Sequence, residues 1–329
     1  MTTALLSDAR WIGLHGIGRF AAEVLRRLPL HPQLKEGPRP LSPCDALWTA
    51  WQVRHRRPRA YFSPGFNPPP LCPAPLVFTI HDLLQIRAPE VATAAKRAYY
   101  AAIVGPACRR AFRVLTVSEH SRTQILEWTG LREDRVVNVG NGVGEPFVPD
   151  GERYDPGYRY ILYAGNFRPH KNLARLFAAF RDLPEPDLRL LLTGDPDTAI
   201  LRSVEQFGVP GRTKFAGRIS DAALARLYRG AELVVLPSLS EGFGLPALEA
   251  MACGAPVVAS RAGALPEVVG PAGILVDPLE TGEIRRGMER VLADAELRTA
   301  MKRAGIERAR LFAWDDVAAR VRAVLEEAS

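Results

Sequence analysis

From residue 159 onward one unit repeats: a short apolar run ending in Gly or Ser, then a stretch with helical periodicity. The runs are RYILYAG (159–165), LRLLLTG (188–194), a shorter one at 214–216, ELVVLPS (232–238) and APVVAS (255–260). Helical patterns fill the intervals at 172–183, 198–207, 221–229 and 246–253. A strand that is apolar throughout has no face to give to water. Such strands, spaced by helices, imply a parallel sheet covered on both sides. Open α/β sheets meet ligands outside the carboxyl ends of their strands, here Gly165, Gly194, Ser238 and Ser260.

The first half shows the same alternation less cleanly. LVFTI (76–80), FRVLTVS (112–118) and 135–139 read as strands and 94–113 as a helix, while strand signals before residue 75 are weak. The turn-rich NGVGEPFVPDG marks a domain boundary near residue 150. At roughly 150 residues per domain, the 329 residues suggest two α/β domains, 1–152 and 153–311, with a cleft between them.

Composition narrows the class. Hydrophobic residues at 47% and charged residues at 24% argue against disorder. No apolar stretch approaches the roughly 18 residues of a membrane span, and MTTALLSDAR lacks the pattern of a secretory signal. Cys44, Cys72, Cys108 and Cys253 are dispersed, which opposes a disulfide scaffold or cysteine-based zinc site and fits a reducing cytosol. The net charge of +7 is uneven: residues 1–155 hold 20 basic and 14 acidic residues, residues 156–329 hold 23 and 22. A positive first half suits a polyanion or an anionic membrane surface. No recognised nucleic-acid motif accompanies it, so nucleic acid is not an expected partner.

Several segments could carry chemistry. PSLSEGFGLPALEAMACGAPVVAS (237–260) follows a strand, turns through Gly242 and Gly244, and opens a helix near Pro246. Free amides of such a turn hold anions or hydroxyls. Glu241 and Glu249, eight residues apart, could accept hydrogen bonds from vicinal sugar hydroxyls. Equally, Glu249 could complement the helix dipole and Glu241 could be a solvated loop residue. In YAGNFRPHKNL (163–173), Arg168 and Lys171 precede a helix start, a diphosphate cradle or ordinary loop cations. In TIHDLLQIRAPE (79–90), His81 and Asp82 directly follow a strand; a histidine there is as often a packing residue as a catalytic one.

HGIGRFA (15–21) matches G-x-G-x-x-A, the dinucleotide fingerprint, through Gly16, Gly18 and Ala21. No clear strand precedes it, and it reads instead as a glycine loop approaching a ligand or the other domain. A nicotinamide oxidoreductase is thus the rival class, and it leaves Lys171, Glu241 and Glu249 unexplained. Two basic clusters with aromatic or apolar neighbours suit an anionic membrane or simply solvated helix faces: Trp48, Trp51, Arg54, Arg56, Arg57 and Arg59; and Lys96, Arg97, Arg109, Arg110 and Arg113 around YYAAIV.

Together these residues resemble retaining glycosyltransferases of family 4, which have the GT-B fold. The strongest piece is EGFGLPALE, the E-x7-E signature. IHDLLQIRAPE, TVSEHSR, NGVGEPFVP, GNFRPHKN, ARLYRGAE and ALPEVVGPAGILVDP support it in matching order, and the likeness runs from GIGRF to FAWDDVAARV. The pattern looks most like bacterial transferases that add mannose or a related hexose to surface polysaccharides. The resemblance implies that Glu249 holds the ribose of a nucleotide sugar, that Glu241 contacts the transferred sugar, and that amides of Gly242, Phe243, Gly244 and Leu245 line sugar and phosphate. Lys171 would neutralise the departing diphosphate, Gly165 and Asn166 would adjoin the donor, and the loop of Gly217, Arg218 and Ile219 would touch the base.

On the other side, His81 would lie beside the sugar, with Asp82 and Arg19 toward the acceptor, while the Gly16–Gly18 loop closes over phosphate. A terminal helix at about 312–329 would cross back to brace the first domain. Many relatives have Arg at the place of Asn166; Arg168 would supply that charge. The implied reaction is metal-independent transfer with retention, from a GDP-, UDP- or dTDP-sugar to a saccharide or lipid-linked saccharide, without a cofactor. The implied place is the cytoplasm, or the inner face of the cell membrane.

Overall fold

The structure is a computed structural model that describes residues 5–13, 16–29, 31–42, 44–89 and 91–328. The chain forms two compact units: one contains residues up to Gly142 together with residues from Ala313 on, and the other is Val143–Phe312. Each has a six-stranded, wholly parallel sheet.

The first unit contains β1 (Leu6–Asp8), β2 (Gln33–Leu34), β3 (Tyr61–Ser63), β4 (Leu76–Thr79), β5 (Arg113–Thr116) and β6 (Val136–Asn138), in the order β2-β1-β3-β4-β5-β6. Its core gathers Leu6, Tyr61, Phe78, Ile80, Tyr100 and Val104. Three strands precede residue 75, where sequence signals were weak. They are two or three residues long and carry Ser7, Asp8 and Ser63 at buried positions, so they lack apolar runs. The expected helix over 94–113 stops at Arg110, because Arg113 already begins β5.

The second unit contains β7 (Tyr160–Tyr163), β8 (Arg189–Leu192), β9 (Thr213–Phe215), β10 (Leu233–Leu236), β11 (Val257–Ser260) and β12 (Ile274–Val276), in the order β12-β11-β10-β7-β8-β9. Every strand expected from the repeating unit is present; β12, only three residues long, is additional. Its core includes Tyr163, Leu176, Phe177, Phe180, Leu192, Val235 and Met288.

The boundary lies at the start of the turn-rich stretch, not at 152. Residues 147–152 pack on the second unit: Arg229 Nη1 donates to Val148 O at 3.1 Å, Arg229 Nε donates to Glu152 O at 2.7 Å, and the Phe147 and Tyr228 rings meet at 6.0 Å. The last helix, Trp314–Ala328, returns to the first unit as expected. Arg27 Nε lies 2.6 Å from Asp315 Oδ1, Arg320 Nη1 donates to Val139 O, and the Trp314 ring meets Phe20.

Candidate active site

In the second sheet β7 and β10 are neighbours, and the chain runs from them toward opposite edges. Such a topological switch point is where open α/β sheets bind ligands. Two loops meet there. After β7, Pro169–Lys171 makes one 3₁₀ turn, and the buried Asn172 follows at φ 61°. Its Nδ2 donates to Pro237 O at 2.9 Å and Pro278 O at 2.7 Å, while Leu239 N–H donates to His170 O at 2.7 Å. These bonds lash the β7 loop to the β10 loop.

Lys171 Nζ thereby sits 2.6 Å from Glu241 Oε1, and Ser238 Oγ donates to the same oxygen at 2.6 Å. Burial alone would raise the Glu241 carboxyl. The Lys171 charge and hydrogen bond, with Ser238 and His170, outweigh burial and hold it below the ordinary 4.5.

The glycine turn then enters helix Leu245–Ala252. Gly244 adopts φ 103°, and a Cβ there would lie 2.6 Å from Leu265 Cδ2, so only glycine fits. No side chain caps this helix start; Pro246 has no N–H and Ala247 N–H already donates to Gly244 O at 3.0 Å, so Leu245 carries the helix-start amide that could meet an anion or hydroxyl. Glu249 lies further along the helix, buried, and its Oε2 accepts the Tyr228 hydroxyl at 3.1 Å.

At the far flank, Gly217 follows β9 at φ 68° and its carbonyl accepts Gly194 N–H at 2.7 Å. Arg218 pairs with Asp195 at 3.2 Å, but both are well exposed and the pair contributes little. Gly165 N–H donates to Thr193 Oγ1 at 3.1 Å, and Asn166 Oδ1 accepts Arg168 N–H at 3.2 Å. The Arg168 side chain is exposed in that same turn. The sheet edge thus presents, in order, the Glu241 turn, the Lys171 turn, the Gly194 loop and the 217–219 loop.

The first unit has its own switch point between β1 and β3. Just past β4, His81 is buried and its Nε2 lies 2.9 Å from Pro64 O. A carbonyl only accepts, so Nε2 carries the proton. Phe20 packs edge-on against the imidazole at 5.0 Å. Asp82 Oδ1 accepts Leu84 N–H at 3.0 Å in the turn that precedes a short helix.

Beside the switch point lies a buried charge cluster that sequence reading missed. Arg10 bridges Asp8 at 2.6 Å and Asp45 at 2.7 Å under the Trp48 ring. Asn67 donates to Asp45 and accepts from Tyr99. Two carboxylates on one guanidinium leave one negative charge over, and neutral donors such as Asn67 and Tyr61 offset it. The cluster pins the 63–67 loop that presents Pro64 O to His81.

The glycine-loop expectation is corrected. β1 does precede the motif, but Gly16 and Gly18 lie in the first turn of helix Gly16–Arg27, with Arg19 half-buried beside them. A Cβ on Gly18 would fall 2.3 Å from Gly13 O, so its close approach is to its own chain. His15 of the motif, like Glu90 of the HD segment, lies outside the described residues. Among the described residues, β1 runs into the 3₁₀ turn Ala9–Trp11, and the first glycine of the motif already lies inside the helix.

Comparison with known proteins decides the family. Residues 148–308 match the model "Glycosyl transferases group 1" and residues 13–142 match "Glycosyl transferase 4-like domain". The O-antigen chain mannosyltransferase B of Escherichia coli is 33% identical over 314 residues, 91% of this chain and 80% of that protein. This chain belongs to the family 4-like glycosyltransferases.

The E. coli serotype-specific mannosyltransferase WbdA is 32% identical over 227 residues, 64% of this glycosyltransferase but only 28% of WbdA. In fold, the glycosyltransferase is similar to Anabaena HepE, solved in complex with UDP and glucose: TM-score 0.78 at 20% identity, covering 99% of this chain and 100% of that one. Its two six-stranded units are the α/β units of the GT-B fold.

The structure of the glycosyltransferase brings Lys171, Glu241, Gly242, Phe243 and Gly244 to one edge, with Glu249 in the helix behind them. Of its supporting residues, Ser238 was readable as a strand end at the ligand edge, whereas Asn172 and Tyr228 were not singled out in the sequence. Ser238 bonds Glu241 only three positions on, whereas Asn172's partners Pro237 and Pro278 lie 65 and 106 positions away and are set only by folding.

Proposed function

We propose that this glycosyltransferase moves mannose from GDP-mannose to a saccharide or lipid-linked saccharide of a bacterial surface polysaccharide, with retention of configuration and without a resident metal. The observation that carries the reading is the Lys171–Glu241 pair beside an uncapped helix start at the switch point. In the step, the anomeric C–O bond to the diphosphate breaks as an acceptor oxygen bonds to the anomeric carbon from the same face. The acceptor's proton passes to the departing phosphate oxygen. Negative charge grows on that phosphate, and a fixed cation and fixed amides aimed there stabilise the transition state more than the bound substrate.

Lys171 takes the diphosphate, with Arg168, Gly165 and Asn166 beside it. Glu241 and the amides of 242–245 take the sugar, Glu249 takes the ribose, and the 217–219 loop takes the base. On the first unit, His81 serves the transferred sugar, and Asp82 and Arg19 receive the acceptor. The relatives named as mannosyltransferases support the choice of sugar. UDP is the second donor to test, because the Anabaena relative was solved with UDP and glucose.

Thermal melts with GDP, GDP-mannose, UDP and UDP-glucose test the donor. A ligand at about 100 times its Kd adds about 2.7 kcal/mol of stability. Stabilisation by GDP-mannose, followed by transfer of mannose with its α configuration kept, is the expected result. Stabilisation by UDP compounds alone would overturn the choice of donor. Glu249→Ala is expected to lose nucleotide stabilisation and transfer while keeping its circular dichroism; near-normal turnover would remove Glu249 from the site.

A further inference from the structure

Of the two basic clusters in the first unit, only one exposes large apolar side chains. Around residues 96–113, Tyr100 and Val104 are buried, Tyr99 bonds Asn67, and Arg113 pairs with Glu327. Helix Asp45–Arg56 differs. Trp48 turns inward over Arg10, but Leu47 and Trp51 are 69% and 57% exposed. At i and i+4 they share one face, and Arg54 continues it one turn on. Arg54, Arg56, Arg57 and Arg59 are all exposed, and the 36 residues from 46 to 81 contain no Asp or Glu. Leu41, at the head of the helix, is also half exposed.

We propose that this face, Leu47 and Trp51 bordered by Arg54, Arg56, Arg57 and Arg59, docks on an anionic phospholipid bilayer. Tryptophan suits the headgroup boundary, and the arginines pair with lipid phosphates on the same plane. A folded soluble partner would offer carboxylates but no laterally continuous apolar layer for an exposed Leu–Trp pair. The charge run without one acidic residue favours a surface that is negative everywhere. The helix carries no residue assigned to transfer. Docking here deepens the reading above by naming how the chain reaches a lipid-linked acceptor, and it rests on that reading only for the acceptor.

The test sediments the full chain with phosphatidylcholine vesicles and with vesicles containing about 30% phosphatidylglycerol. Binding to the anionic vesicles only, falling as salt rises, is expected. Each Arg→Gln change at 54, 56, 57 or 59 should weaken it about fivefold, and Leu47→Ser or Trp51→Ser about tenfold. The same variants should transfer sugar to a water-soluble acceptor as the parent does, which separates failure to dock from failure of the chemistry. Equal binding to neutral vesicles, or anionic binding indifferent to Trp51→Ser, would overturn the proposal. So would light scattering that shows a dimer of the parent abolished by Trp51→Ser, since the face would then join two copies.

Discussion

Lys171 and Glu241 show how one contact can set both charge and position. The ammonium keeps the buried carboxyl ionised, and the carboxylate holds the ammonium at the sheet edge. Lys171→Ala should lower kcat by about 10²–10³, the usual cost of losing one transition-state charge contact. Steady-state rates beside an unchanged circular dichroism spectrum check this. Since the folded Glu241 carboxyl lies below its unfolded value, the stability it contributes is complete above about pH 4.5 and is lost as pH falls through the folded value. Glu241→Gln should therefore flatten the acid limb of stability below pH 4.5 in urea titrations at stepped pH. An unchanged acid limb would mean that the pair contributes no linkage. Glu241 and Lys171 were readable as residue types at loop positions; their 2.6 Å contact was not, because 70 positions separate them.

Among elements, the glycine turn into helix Leu245–Ala252 carries the most constraint. Gly244→Ala would meet both a left-handed backbone and Leu265, and should destabilise by about 1–3 kcal/mol, read from melts of the variant. The buried cluster of the first unit is more brittle. Arg10→Ala would leave Asp8 and Asp45 buried without a counter-charge, at a cost of about 3–5 kcal/mol. Strands β7, β8, β10 and β11 were legible because their apolar runs are bounded by Gly and Ser. β1, β2 and β3 were not: β2 has only two residues, and Ser7, Asp8 and Ser63 of β1 and β3 look like loop residues, although in the fold Arg10 and Tyr61 donate to the buried Asp8 and Ser63 donates to Gly65 O. His81 likewise reads as a strand-end histidine, and only the folded 63–67 loop gives it the Pro64 carbonyl.

For the whole molecule, the chain's return matters most. Helix Trp314–Ala328 buries Trp314, Val317, Val321, Val324 and Leu325. At about 1.5–3 kcal/mol for each large apolar side chain, their loss rivals a domain's total stability of about 5–15 kcal/mol. A chain ending at Phe312 should thus lose the fold of its first unit. Thiol labelling reads this directly. In the intact chain Cys44 is exposed, whereas burial pushes Cys72 up to about 11 and Cys108 and Cys253 up to about 12. Cys44 should react alone at first. In the truncated chain Cys108 should become reactive while Cys253, in the second unit, stays slow. No described helix is long and apolar enough to cross a membrane.

Legible from the residues alone were the α/β class, strands β7 to β11 with the helices between them, the family, and the residue types at the candidate site's edge. Those follow from local periodicity, turn chemistry and motif order, all written within short windows. The tertiary structure alone decided the strand order that brings β7 beside β10, and with it the meeting of Lys171 and Glu241. It also decided that Trp48 turns inward over Arg10 while Trp51 stays outside. These depend on contacts between distant positions, whose partners no local pattern specifies.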